Sequence, residues 1–396
     1  MCFEPEQVRG DFPALAEYVH GKPLVYLDNA ATAQMPRAVM DAIEHLELRR
    51  GNVHRGIHTL SDACTEAYEN ARRVCGTFLG AAPEQITFTG GTTDSINRVA
   101  AWFSENRTGG VVVSVLEHHS NFVPWQQVCL REGRPFRVVP ITAEGQLDLH
   151  GLERCLDDTV ELLAITQCSN VLGTVTPIQE ICRMAHDRGI RVLVDGAQSV
   201  CHMPVNVEEL GCDFLACSGH KLGGPFGIGL LYCREPMEPV LWGGGMVYRV
   251  TVEETTFAQS PQSGEAGTPN VSGAVGLAAA IEYRMQLPQG WQAHEERLLE
   301  LAQQRLEELE GVHVLGTGDR MGCLSFTIDG VQPFDAAVLL DQLGVALRSG
   351  HHCAQPLLQA LEVPYTLRIS PAFYNTEEEI DALVAGMKKI LPLLRG

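Results

Sequence analysis

The 396-residue chain is short of positive charge: 29 lysines and arginines face 49 aspartates and glutamates, a formal net charge of −20. A protein that tracks phosphates needs a basic face, so nucleic acid and anionic membrane surfaces are poor partners, and a small molecule or another protein fits better. No apolar run approaches the length of a membrane span, and Met1-Cys2-Phe3-Glu4-Pro5-Glu6 lacks the basic stretch and apolar core of a secretory leader. The expected location is the cytoplasm. Cys-x-x-Cys pairs are absent although there are 13 cysteines. Scattered singly, most of them, such as Cys168, Cys217 and Cys233, read as reduced core residues. Internal repeats and low-complexity tracts are also missing.

What is present is a core large enough for two lobes, with 45% hydrophobic residues. Short β-branched runs alternate with amphipathic stretches between about 85 and 235: Ile86 to Thr89, Val111 to Leu116, Leu162 to Thr166, Val192 to Val194, Phe214 to Cys217 and Gly229 to Tyr232. This is the pattern of an α/β fold with a mainly parallel sheet covered on both faces. From about 270 long helices and a separate small sheet follow. Leu298, Ala302, Leu306 and Leu309 share one helical face, as do Ile380, Leu383, Val384, Met387, Ile390, Leu391 and Leu394. Thr376 with Glu379 forms the capping box of the last helix. The expected division is a large domain, 19–280, and a smaller α+β domain made of 1–18 with 281–396. The stretch 242–270 lacks periodicity and reads as an active-site or interface element, or as a plain surface loop.

Strand-terminal Asp195, followed one βα unit later by Lys221 in Ser218-Gly219-His220-Lys221-Leu222-Gly223-Gly224-Pro225, matches the way pyridoxal 5′-phosphate is held, with lysine as Schiff base and aspartate under the pyridinium nitrogen. Alone, the pair is equally compatible with a loop lysine and a strand cap. Thr89-Gly90-Gly91-Thr92-Thr93-Asp94-Ser95 opens a helix with glycines and hydroxyls, a cradle for an oxyanion to which Ser218 and His220 could add donors. Glu117-His118-His119-Ser120-Asn121 follows a strand, where an imidazole can lie on a cofactor ring; His118 and His119 would point to opposite faces of an extended chain, so no shared metal is expected. Cys353, in Leu347-Arg348-Ser349-Gly350-His351-His352-Cys353-Ala354-Gln355-Pro356, is flanked by histidines, glycine and proline, the setting of an exposed nucleophilic thiolate rather than an inert buried thiol.

With these residues assembled, the chain resembles the class V aminotransferase branch of fold-type I pyridoxal phosphate enzymes, and specifically the group II cysteine desulfurases of the SufS/CsdA type. The resemblance runs from Tyr26-Leu27-Asp28-Asn29-Ala30-Ala31-Thr32 through Val53-His54-Arg55-Gly56-Ile57-His58 to Arg368-Ile369-Ser370-Pro371-Ala372-Phe373-Tyr374-Asn375. Its discriminating motif is Arg-x-Gly-His-His-Cys-Ala. It implies a seven-stranded large-domain sheet, Lys221 carrying the cofactor, Asp195 on the pyridinium, Gln198 on the phenolic oxygen and His118 stacked beside Asn170. Thr93, Ser218 and His220 would take the phosphate, joined by Thr268 from a second subunit of a homodimer. Arg368 would pair with the substrate carboxylate near Asn29, and Arg348, His54 and Arg55 also fall to the substrate. Cys353 would take sulfur from L-cysteine as a persulfide, leaving L-alanine, and pass it to an acceptor protein of the SufE/CsdE or SufU kind for iron–sulfur cluster assembly. Rival implications are a selenocysteine lyase, a cysteine-sulfinate desulfinase, or a non-catalytic scaffold that binds the cofactor.

Overall fold

A computed structural model describes residues 3–54 and 56–395. Seven strands form the central sheet: β1 (Ile86–Thr89), β2 (Gly110–Ser114), β3 (Phe136–Val139), β4 (Val160–Thr166), β5 (Arg191–Asp195), β6 (Phe214–Ser218) and β7 (Gly229–Cys233), in the spatial order β1-β7-β6-β5-β4-β2-β3. Strands β2 to β6 pair in parallel, and β7 runs antiparallel to both β1 and β6. The apolar runs are continuous because both faces are covered. Val111, Val113, Leu162, Ala164 and Leu193 pack under α2 (Thr92–Asn106) and α3 (Val123–Glu132), whereas their neighbours Val112, Leu163, Ile165, Val192 and Val194 join the opposite core with α1 (Thr59–Leu79) and α4 (Val271–Met285).

In the central sheet, sequence patterning misses one strand and misplaces the end of another. Phe136–Val139 is an edge strand, half-buried over most of its length, so its apolar signal is diluted. The run read as Val111 to Leu116 ends as a strand at Ser114, and His119–Asn121 form a 3₁₀ turn capped by His118. The expectation of an extended chain through both histidines is therefore corrected, and their rings lie 6.3 Å apart. Within the supposedly irregular 242–270 stretch, β8 (Val247–Val250) and β9 (Thr255–Phe257) form an exposed antiparallel hairpin. Exposure on both faces leaves little hydrophobic alternation to read.

The C-terminal third builds a second core. An antiparallel sheet of β10 (Val312–Val314), β11 (Leu324–Ile328), β12 (Arg348–Gly350) and β13 (Thr366–Ile369), ordered β10-β11-β13-β12, packs against α5 (Trp291–Glu307) and α6 (Glu377–Leu394). Leu298, Ala302, Leu306, Ile380, Leu383 and Met387 meet Leu324, Phe326, Leu367 and Ile369 there, and Val25 and Leu27 pack with them. The capping box is present: the Thr376 amide donates to Glu379 Oε2 at 3.1 Å.

One buried ion pair anchors the segment leading into α4. Glu265 accepts from Arg72 Nη1 (2.7 Å) and Nη2 (2.9 Å), from the Tyr68 hydroxyl (2.8 Å) and from the Phe88 amide (2.8 Å). Arg72 is 1% exposed, so losing this carboxylate strands a guanidinium that keeps only Glu69 as a charged partner. Glu265→Ala is expected to lower stability by about 3–5 kcal/mol and Glu265→Gln by less, measured by urea unfolding. Equal stability of Glu265→Ala and the unmodified protein would show that the pair contributes no net stability.

Candidate active site

A cavity of about 230 Å³ opens at the carboxyl ends of β2, β4, β5 and β6, the edge where open α/β sheets bind ligands. Asp195 ends β5, and Lys221 follows β6 by one short turn. Thr93, His118, Asn170, Gln198, Ser218, His220, Arg348 and Arg368 line the same space. Sequence spacing thus brings together ten of the expected residues from seven separate segments. Lining residues not singled out beforehand are Ala30, Ala31, Thr92, Ser120, Thr166, Cys168, Ala197 and His352. Thr92 and Ser120 carried a signal, since both sit inside quoted motifs; Cys168 had been read only as core.

The other expectations fall differently. Asn29 is buried but does not line the cavity. Its amide donates to the Ser370 carbonyl (2.7 Å) and to Asn375 Oδ1 (3.2 Å), and its own oxygen accepts from the Tyr374 hydroxyl, so it ties the N-terminal segment to the second core. His54 and Thr268 line a different cavity, with Asn52, Gly244, Gly245 and Glu265, apart from Lys221 of the same chain. Arg55 lies outside the described residues. Cys353 is half-buried rather than exposed, in the loop whose neighbours Arg348 and His352 line the cavity.

Burial sets the charges. It pushes the Lys221 ammonium down, opposed by Asp195, and pushes the Asp195 carboxyl up, opposed by the Ala197 amide (2.9 Å) and Lys221. Burial, followed by Lys221, lowers His118 to about 3 and His220 to about 4, and burial with Arg368 lowers His352 to about 3, so all three imidazoles are neutral at pH 7. His118 Nδ1 accepts the Ser120 amide at 3.1 Å, which places its proton on Nε2. Glu117, pushed up to about 8 by burial, accepts from Ser114 Oγ (2.6 Å), Asn121 Nδ2 (2.6 Å) and the Thr166 amide (3.0 Å), and so fastens the histidine turn to β4.

These residues fit pyridoxal phosphate. A carboxyl buried with only a lysine as counter-charge is relieved by a pyridinium N–H, and a desolvated amine is the nucleophile that an aldehyde needs. Gly91, at φ 137°, opens α2, and a Cβ on it would come within 3.2 Å of Ser218 Oγ. That oxygen also lies 2.8 Å from the Thr92 amide and hydroxyl. Glycine therefore lets the first turn of α2, with its free N–H groups, close on an oxyanion.

A buried lysine–aspartate pair and a helix-opened phosphate cradle at one sheet edge define a pyridoxal phosphate enzyme of the fold-type I class. The profile of the family "Aminotransferase class-V" matches residues 25–383, and the chain belongs to that family. Among its relatives is a probable cysteine desulfurase of Halalkalibacterium halodurans, 44% identical over 393 residues and covering 97% of each chain. A cysteine desulfurase of Shigella sonnei is 45% identical over 405 residues and covers 100% of both. Solved structures agree: the Escherichia coli cysteine desulfurase CsdA, in an S-sulfonic acid form, superposes with a TM-score of 0.92 at 39% identity, and a Thermococcus onnurineus cysteine desulfurase in its apo form with 0.94 at 37%, each covering 100% of both chains.

Proposed function

We propose that this chain is a pyridoxal phosphate-dependent cysteine desulfurase that converts L-cysteine to L-alanine and holds the released sulfur as a persulfide on Cys353. The observation that carries this reading is the Cys353 loop lying against the Lys221 cavity: the His119 amide donates to the Cys353 carbonyl (2.7 Å) and Asn170 Nδ2 to the His352 carbonyl (2.8 Å). The loop that carries the thiol is thus tied through its main chain to Asn170, which lines the cavity, and to His119, next to His118. The cofactor supplies the electron sink that labilises the substrate's α-proton and its C–S bond. Lys221 and Asp195 would hold it, Gln198 would bond its phenolic oxygen, His118 and Asn170 would lie beside its ring, and Thr93, Ser218 and His220 would take its phosphate. Lys221 moves the α-proton. Arg368, with Arg348, binds the substrate carboxylate. In the net step the substrate C–S bond breaks, an S–S bond forms on Cys353, and the carbon takes up a proton; sulfur is oxidised and carbon reduced, so no external oxidant is needed.

The protein acts as a homodimer in this reading. The cavity bearing His54 and Thr268 completes the Lys221 site of the second subunit, which accounts for those two residues lying apart from Lys221 within one chain. We assign 19–280 to the large domain and 1–18 with 281–396 to the small one. A sulfur acceptor protein of the SufE/CsdE or SufU kind takes the persulfide onward to iron–sulfur cluster assembly in the cytoplasm. Among the described residues no helix is long and apolar enough to cross a membrane. The test is L-alanine formation from L-cysteine by the cofactor-loaded protein, with thiol as sulfur acceptor. Alanine and sulfide in equal amounts are expected, and no alanine would refute the assignment.

A further inference from the structure

Arg348 and Arg368 stand directly opposite each other on the antiparallel strands β12 and β13. Like charges in that register repel, and both side chains line the Lys221 cavity. One carboxylate from elsewhere enters the arrangement: Asp28 Oδ1 accepts from Arg368 Nη2 at 2.9 Å, the two side chains being 22% and 2% exposed. Arg368 Nη1 donates to the Asn170 carbonyl at 2.8 Å, while its buried Nε–H has no partner among the described residues. Arg348 forms no ion pair among the described residues. Two guanidiniums and one carboxylate leave a single positive charge and an unused donor, a place for one more carboxylate. Tyr26 reports the same grouping: burial and Asp28 push its hydroxyl up to about 12 while Arg368 and Arg348 pull it down.

We propose that Asp28 is a built-in counter-ion that sets how tightly the Arg348–Arg368 pair holds an amino-acid carboxylate, keeping the pocket weak enough to release its product. The inference rests on the assignment of Arg368 to the substrate carboxylate. L-Cysteine and L-alanine carry the same α-carboxylate, so a pocket bearing both arginine charges uncompensated would grip product as strongly as substrate, which binds tighter without raising the rate of the chemical step. Asp28 is a positioning residue here: it acts through Arg368 and does not line the cavity. Its backbone is fixed by a bridge to Ser370, and the Ser370 amide donates to the Leu27 carbonyl at 2.8 Å, so the carboxylate is presented from a rigid segment.

The test is titration of the cofactor-loaded protein with L-alanine, followed by the absorbance of the bound cofactor, for the unmodified chain, Asp28→Asn and Asp28→Glu. Asparagine keeps an acceptor for Arg368 and removes the charge. L-Alanine should then bind about fivefold more tightly, with KM for L-cysteine falling in parallel, and glutamate should return affinity towards that of the unmodified chain. A merely structural role predicts the opposite sign, because a loosened Arg368 binds carboxylates less well. Affinity unchanged or weakened in Asp28→Asn, with its thermal midpoint preserved, overturns the proposal. The titration reads amino-acid binding at the cofactor and needs no sulfur transfer, so its result is separable from whether Cys353 collects sulfur.

Discussion

Lys221→Ala should lose the visible absorbance of covalently held cofactor and fall in L-alanine formation by at least about 10⁴-fold, since one substitution removes both the attachment point and the group that moves the α-proton. The change is not expected to unfold the protein. Burial already pushes the Lys221 ammonium down, so the native state gains little from that charge, and Asp195, pushed up by the same burial, can take a proton once its counter-charge has gone. The core under the site also does not depend on the lysine: Leu222, Ile228, Leu230 and Leu277 pack together beneath it. Cofactor retained only by non-covalent contacts, through the α2 cradle and Ser218, should be released by gel filtration from Lys221→Ala and kept by the unmodified chain. Absorbance and turnover both surviving the substitution would remove Lys221 from its role.

How much of this was legible in the sequence depended on burial and on chain continuity. The sheet was readable because β2, β4, β5 and β6 are covered on both faces and so appear as unbroken apolar runs. The edge strand Phe136–Val139 and the exposed hairpin of β8 and β9 were not, since neither face need be uniformly apolar. Asp195, Lys221 and the Gly-Gly-Thr-Thr turn stood out because the chemistry demands unusual residues at strand ends. Asn29 has a structural part that its motif did not reveal. Its place in a site motif suggested ligand contact, yet every polar atom of its side chain is used in fastening the segment to Ser370, Tyr374 and Asn375. Asp28 escaped for the complementary reason: its ion pair with Arg368 spans most of the chain and leaves no local pattern. Ser120 meets the His118 ring through both its amide and its hydroxyl, a pairing whose geometry its motif does not report.

Cys353→Ser should keep the cofactor and the bound-substrate absorbance change while yielding no persulfide and at most about 10⁻³ of the alanine. Every contact that shapes the loop is made by main-chain atoms or by other side chains: the Cys353 carbonyl accepts from the His119 amide (2.7 Å), its amide donates to His351 Nδ1 (3.2 Å), and His352 Nε2 pairs with Thr366 Oγ1 (2.8 Å). These hold His352 and Cys353 in left-handed conformation, φ 50° and 54°, a strain of about 1–3 kcal/mol per residue that a supporting structure must offset. Serine occupies that conformation as well as cysteine does, so the substitution changes the sulfur and little else. Competing thiols are poorly ionised. Burial pushes Cys201 up to about 11 and Cys182, Cys217 and Cys233 up to about 12, and Cys168, which lines the cavity itself, is also driven up by burial. Such thiols hold almost no thiolate at pH 7 and cannot replace the missing nucleophile. Mass spectrometry after one turnover should therefore find the added sulfur on the peptide containing Cys353 in the unmodified chain and nowhere in Cys353→Ser. A persulfide on Cys168 in either protein would transfer the role to the buried thiol and require that the loop serve only to close the cavity.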